Sequence, residues 1–147
     1  MSENPSKIRR AAPEDHAALA RIWKEAVRAT HGFLAEEDFL YYKAHIPEYL
    51  ATIDLYVCEE EGKIKGFAGI LHGKIEMLFV GERGKGIGRQ LLDFATEKLR
   101  ATEVDVNTQN EAALGFYLKY GFTETSRTET DAQGRPYPIV HLALTGK

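Results

Sequence analysis

Apolar positions recur along the chain with two periods, and the points where one gives way to the other mark out the elements. Leu19, Ile22, Trp23, Ala26, Val27 and Thr30 fall at i, i+3, i+4, i+7, i+8 and i+11, the spacing of one helix face. Pro13, Glu14 and Asp15 just before them suit a first helical turn, where proline loses no needed donor and acids meet the positive pole. Residues 6–11 read as a short first strand, and Thr30-His31-Gly32 breaks the helix. Phe39, Tyr42, Ile46, Tyr49 and Leu50 keep helical spacing, but Pro47 lacks an N–H and predicts a split into two short helices. From Asp54 the period changes. Leu55 to Cys58 is β-rich, Glu61-Gly62 turns, residues 63–71 return as a strand, His72-Gly73 turns again, and residues 75–80 form an apolar run of strand length. Ile87, Leu91, Phe94, Ala95 and Leu99 predict a helix down to about Arg100, and residues 103–107 alternate as a strand does. Asn110 is placed to cap a helix running through Tyr120, with Gly121 as its stop. Residues 122–130 and 137–144 then predict a hairpin across a polar turn. This order predicts one α+β domain over residues 1–147, with a mixed sheet flanked by helices.

Composition narrows the function classes. The chain has 147 residues, 44% of them apolar, with 19 basic and 22 acidic side chains and a formal charge of −3. That balance supplies no global field for a polyphosphate backbone and argues against nucleic acid as the main partner. Cys58 is the single cysteine, so neither an internal disulfide nor a CxxC pair is available, and its β-rich surroundings suit a small buried hydrophobe. The five histidines show no HExxH or paired spacing, so no metal site is expected. The N-terminus is polar and no run of 18 apolar residues occurs, which points to a cytoplasmic protein without a membrane span.

Four of the 13 glycines, Gly81, Gly84, Gly86 and Gly88, stand between an apolar strand and an amphipathic helix. They suit a tight strand-to-helix turn. They equally suit an anion site, because glycine lets a phosphate reach the unpaired N–H groups of a helix N-terminus, and Arg83, Lys85 and Arg89 add positive charge. A Walker loop would end in GK[ST], but Gly86 is followed by Ile87 and Gly88. A dinucleotide fingerprint starting at Gly84 would need glycine where Arg89 stands. Both nucleotide readings fail.

The spacing that does fit, Arg83-x-x-Gly86-x-Gly88, resembles the [Q/R]xxGx[G/A] coenzyme A signature of the GNAT acetyltransferases. An apolar strand before the loop, Asn110-x-x-Ala113 after the next strand, and Phe116-Tyr117-Leu118-Lys119-Tyr120-Gly121-Phe122 are similar to further family motifs in the same order. The segments Ala29 to Leu34 and Asp131 to Pro138 also resemble a bacterial subgroup that includes peptidyl-lysine acetyltransferases.

The resemblance implies the GNAT fold, a mostly antiparallel mixed sheet between helical layers, and acetyl-CoA as cosubstrate. It implies that Leu78, Phe79 and Val80 pair with the pantetheine arm. The amides of Gly84, Lys85, Gly86, Ile87, Gly88 and Arg89, with Arg83, would hold the pyrophosphate, and Asn110 would contact the cofactor. In the family, the tyrosine matching Tyr117 protonates the leaving thiolate; by periodicity alone, Ala113, Tyr117 and Tyr120 share a face and Tyr117 reads as a core aromatic. An amine acceptor of lysine type is charged at neutral pH, and freeing its lone pair costs about 4.6 kcal/mol for a pKa of about 10.4. Asp105 on the strand before Asn110 is the first candidate base and Glu76 the second; either also reads as a solvated strand residue. His31 is a candidate for acceptor contact and His72 reads as a turn residue. The reading is an N-acetyltransferase acting by direct attack on acetyl-CoA, with a protein lysine as acceptor. Its rivals are a small-molecule amine as acceptor and a CoA-binding sensor without turnover; an acid at the sulfur argues against the sensor.

Overall fold

The computed structural model describes residues 6–81 and 86–144. Seven strands, β1 (Lys7–Arg10), β2 (Asp54–Glu60), β3 (Lys63–Leu71), β4 (Lys74–Val80), β5 (Glu103–Asn107), β6 (Phe122–Thr128) and β7 (Ile139–Leu144), form one sheet in the order β1-β2-β3-β4-β5-β7-β6. Every neighbouring pair is antiparallel except β4 and β5. Helices α1 (His16–Thr30) and α2 (Glu36–Leu50) cover one face, where Leu19, Trp23, Phe39 and Leu50 pack on Leu55, Val57, Phe67 and Met77. Helices α3 (Ile87–Asp93) and α4 (Glu111–Tyr120) cover the other, where Leu91, Leu92 and Tyr117 pack on Ile75, Val104, Val106 and Val140. The alternation of β5 explains the division: Val104 and Val106 are buried toward α3 and α4, while Glu103, Asp105 and Asn107 point the other way.

Two expectations are corrected. α2 runs unbroken through Pro47. Pro47 lies on the exposed side of the helix, where water can reach the carbonyl its missing N–H would have served, while Ile46 and Leu50 are anchored at 5% and 2% exposure. The helix that begins at Ile87 does not stay α-helical to Arg100, because residues Phe94–Lys98 widen into a π turn, closed by Leu99 N–H donating to Phe94 O at 3.2 Å.

The feature that shapes the functional region lies in β4. Ile75 stands opposite Ile70 and Met77 opposite Gly69, which leaves Glu76 as an extra residue between them. Such a bulge bends the strand and changes which face its side chains meet. Accordingly, Ile75 belongs to the α3/α4 core and Met77 to the α1/α2 core. β4 and β5 pair only at Lys74–Glu103 and Ile75–Val104 and then part.

Candidate active site

Where β4 and β5 part, a wedge of about 120 Å³ opens, lined by Leu78 and Phe79 on one strand, Asp105 and Asn107 on the other, and Asn110 and Tyr117 from α4. The β4 backbone that faces β5 beyond Ile75 is left without a strand partner, and the splayed edge is suited to an extended amide-bearing chain. A wider cleft of about 810 Å³ adjoins it, walled by α2, the end of α1 and the segment between β6 and β7. The two share His31, Glu76, Met77, Phe79, Asp105 and Asn107. A group entering through the wide cleft therefore meets the wedge along this line of residues.

Tyr117 stands at the wedge. Its residue is 6% exposed, its ring packs edge-on against Phe116 and Phe122 at 5.2 and 5.5 Å, and its hydroxyl has no hydrogen-bond partner among the described residues. Burial pushes the phenol above its ordinary value, so it carries its proton throughout the neutral range. It is both a core aromatic and a wedge-lining residue. Asn110 likewise combines two placements: its Oδ1 accepts the Ala113 N–H at 3.3 Å as an N-cap, and the residue lines the wedge.

At the loop before α3, Gly86 is left-handed with φ 78°, a conformation glycine adopts without the strain a Cβ would bring. Gly88 has room for a Cβ, with Phe116 Cζ 3.6 Å from it. Ile87 is 3% exposed and turned into the core, leaving only its backbone for a ligand. The Arg89 side chain follows its own helix, with Nε 3.1 Å from Asp93 Oδ1 and its guanidinium 4.9 Å from the Tyr120 ring. Leu78 and Val80 are half-buried against the α3/α4 core and Phe79 against the other. Arg83, Gly84 and Lys85 lie outside the described residues.

The two candidate carboxylates differ in what already occupies them. Asp105 Oδ2 takes Lys74 Nζ at 2.6 Å and Oδ1 takes His141 Nδ1 at 2.7 Å. Burial, the largest single influence, would lower the Lys74 ammonium, but the hydrogen bond to Asp105 and the negative charges of Asp105, Glu76 and Glu103 together raise it. Glu76 accepts the Tyr49 O–H at 2.7 Å through Oε1, leaving Oε2 without a partner among the described residues. The Tyr49 phenol is raised by burial first and by that carboxylate second. His72 is an exposed turn residue with φ 51° and lines neither space, whereas His31 lines both. Among the described residues, no group of three or more His, Cys, Asp or Glu side chains is placed to hold a metal ion. No helix among them is long and apolar enough to cross a membrane.

A buried clamp closes the outer wall of the wide cleft. Asp38, on α2 and 6% exposed, accepts Arg135 Nη1 at 2.5 Å and the Tyr137 hydroxyl. The same hydroxyl accepts the Ala35 N–H at 3.0 Å, Tyr42 bonds Asp131, and the Arg135 guanidinium lies 4.1 Å over the Tyr41 ring. The sequence offered no sign of Asp38, Tyr49, Lys74 or His141, since their pairings span 27 to 99 residues and depend on strand register and helix placement. Replacing Asp38 with alanine is expected to cost about 1–3 kcal/mol, because it strips the buried Tyr137 hydroxyl and the half-buried Arg135 guanidinium of their acceptor. The denaturant midpoint of the variant checks this.

Comparison with known proteins agrees with this geometry. Residues 23–137 match a family model described as an acetyltransferase (GNAT) domain. The chain is 37% identical to the peptidyl-lysine N-acetyltransferase YjaB of Escherichia coli (strain K12), over 95% of this chain and 97% of that protein. The solution structure of apo-form YjaB from Escherichia coli superposes with a TM-score of 0.89 at 36% identity, over 97% of this chain and 99% of that one. The structure of yncA from Salmonella typhimurium with its cofactor acetyl-CoA gives a TM-score of 0.65 at 25% identity, over 97% of this chain and 94% of that one.

Proposed function

The chain belongs to the GNAT family and is an acetyl-CoA-dependent N-acetyltransferase, and we propose that its acceptor is a protein lysine, acetylated by direct transfer at the meeting point of wedge and cleft. The observation that carries this is the continuity of the two spaces through Glu76 and Asp105: an amine arriving along the wide cleft reaches the wedge beside Tyr117. Glu48, Glu76, Asp105 and Asp131 line the wide cleft, and among the described residues that line it the one Lys or Arg is Lys74, which Asp105 already neutralises, so the walls favour a cationic side chain. Tyr42 and Tyr49 offer faces on which an alkyl ammonium stem can lie. A relative that covers nearly the whole chain is named for peptidyl-lysine acetylation. We assign the reaction to the cytoplasm, in keeping with the single reduced thiol of Cys58.

When bound, acetyl-CoA supplies an activated acetyl thioester. The backbone of Leu78 to Val80 would hold its extended arm, the amides of Gly86 to Arg89 would receive its pyrophosphate together with Arg83, Gly84 and Lys85 of the segment outside the described residues, and Asn110 would close the wedge at the start of α4. Tyr117 gives its phenolic proton to the departing sulfur. A free thiol, pKa about 8.5, and a phenol, about 10, are close enough that a preorganised contact suffices. Of the two carboxylates, Glu76 has one oxygen without a partner among the described residues and holds the incoming ammonium; Asp105, bound on both oxygens, fixes Lys74 and His141 along the rim.

Acetyl-CoA at about 100 times its dissociation constant is expected to stabilise the fold by about 2.7 kcal/mol, seen as a raised melting temperature, with NAD and ATP doing much less. Labelled acetyl-CoA offered with lysine peptides and with small amines tests the acceptor. Faster transfer to the peptides supports the reading, and transfer to small amines alone overturns it.

A further inference from the structure

Three titratable side chains, His31, Glu76 and Asp105, stand on the line where wedge and cleft meet, and their hydrogen bonds set them apart. Asp105 is occupied on both oxygens and Glu76 on one. Among the described residues, His31, which caps the C-terminus of α1, forms its one side-chain hydrogen bond through Nδ1, 2.7 Å from Thr30 Oγ1. That contact fixes the tautomer. The Thr30 hydroxyl has one proton and donates it to Ala26 O at 2.8 Å, so toward His31 its oxygen accepts. Nδ1 therefore carries the imidazole proton, and Nε2 keeps an unprotonated lone pair without a partner among the described residues. Phe33 packs on the ring with centroids 5.1 Å apart and restrains its orientation.

We infer that His31 Nε2 is the proton acceptor for the amine, a catalytic residue held in its working tautomer by the Thr30–Ala26 hydrogen-bond chain. The inference rests on the amine entering through the wide cleft. The substrate ammonium, placed by Glu76, gives one proton to Nε2, and its freed lone pair bonds to the acetyl carbon. The carbon–sulfur bond breaks, the sulfur takes the proton of Tyr117, and the second proton leaving nitrogen restores the tyrosine. His31 then releases its proton to solvent, so one proton is set free per acetyl group transferred. An imidazole, ordinarily near pKa 6.5, is a stronger base than a carboxylate, ordinarily about 4.3, and is better matched to an amine at about 10.4. Burial holds the His31 ring below its ordinary value and so keeps it neutral and receptive at pH 7.

Other groups titrate around the site. Beside His31 at the junction lie Glu76, Asp105 with its partners Lys74 and His141, and Tyr117. Across the cleft α2 presents Tyr41, Tyr42, His45, Glu48 and Tyr49, and the β6–β7 segment Asp131 and Tyr137. Tyr42, Tyr49, Tyr117 and Tyr137 are all raised, chiefly by burial, and stay protonated through neutral pH.

The test is the pH dependence of kcat/KM for His31→Gln, using the best amine that the full-length wild-type protein acetylates. In the wild type a base at His31 gives a plateau above its titration. Without it, the rate should follow the uncharged fraction of the amine and climb about tenfold per pH unit toward 10.4. The expected result is a loss of about 100-fold at pH 7 that shrinks to less than tenfold above pH 9, with acetyl-CoA binding unchanged. His72→Gln, at the exposed turn, should keep the wild-type profile. A loss of the same factor at every pH, or none at pH 7, overturns the inference. If His31→Gln shows no acetyl-CoA-induced thermal shift and so has not folded, Thr30→Val decides: it removes the Nδ1 acceptor and should cost about tenfold at pH 7, with Thr30→Ser restoring the rate. An unchanged rate in Thr30→Val then rejects the inference. If the best acceptor is a small amine and not a lysine peptide, the proposed acceptor falls while the His31 measurement proceeds on that amine.

Discussion

Tyr117→Phe is expected to fold, to bind acetyl-CoA with nearly wild-type affinity, and to lower kcat by on the order of 10²–10⁴. The substitution removes one oxygen and keeps the ring that packs against Phe116 and Phe122, so the α3/α4 core retains its volume. The hydroxyl forms no hydrogen bond among the described residues, so its removal leaves no buried partner unsatisfied there. A hydroxyl that contributes nothing to packing, while lining the wedge with its proton held on by burial, matters to turnover or not at all. Single-turnover kinetics with saturating acetyl-CoA separate the outcomes: a wild-type rate for the phenylalanine variant, or a variant that fails to fold, leaves Tyr117 as a core aromatic only. On the role proposed for it, the phenol gives its proton only as carbon–sulfur cleavage proceeds, so kcat and kcat/KM should fall together.

The elements proposed to carry the coenzyme side were legible because they are local. Asn110 three residues before Ala113, Gly121 after Tyr120, and a glycine cluster between an apolar strand and an amphipathic helix are all written within a few positions of one another. The structure realises the first two as an N-cap bond and a left-handed helix stop with φ 127°. The acceptor side was not legible, since it is assembled by tertiary placement. The bulge at Glu76 depends on how β3 and β4 register, and neither strand announces it. Without it the alternation of β4 would place Ile75 and Met77 on one face, where the structure divides them between two cores. Asp105 read as the first candidate base because its spacing to Asn110 can be counted along the chain; that Lys74 and His141 occupy it follows from cross-strand neighbours 31 and 36 residues away. Pro47 misled for a related reason. The propensity rule concerns an average helix, whereas here Ile46 and Leu50 hold α2 to the sheet and the freed carbonyl faces solvent.

The glycine at position 86 tests the coenzyme side with the least ambiguity, because its substitution separates charge from shape. A Cβ added there meets nothing within 4 Å, so a side chain fits sterically, and the left-handed φ of 78° costs a non-glycine residue about 1–2 kcal/mol. Gly86→Ala carries that strain alone and should keep most of the acetyl-CoA-induced stabilisation. Gly86→Asp adds a carboxylate at the helix N-terminus where the pyrophosphate is proposed to sit. At about 4 Å and an effective dielectric of about 20, two like charges repel by about 4 kcal/mol, more than the 2.7 kcal/mol that a 100-fold change in affinity represents. The aspartate variant should therefore bind acetyl-CoA at least 100-fold more weakly. At a concentration that gave the wild type about 2.7 kcal/mol, its stabilisation falls to about 0.4 kcal/mol. Dephospho-CoA and CoA share the pyrophosphate and should lose affinity for the aspartate variant alike, whereas the isolated pantetheine arm, which carries no phosphate, should bind both proteins equally. Equal weakening in alanine and aspartate would assign the effect to backbone strain, and a retained shift in the aspartate variant would move the pyrophosphate away from this loop.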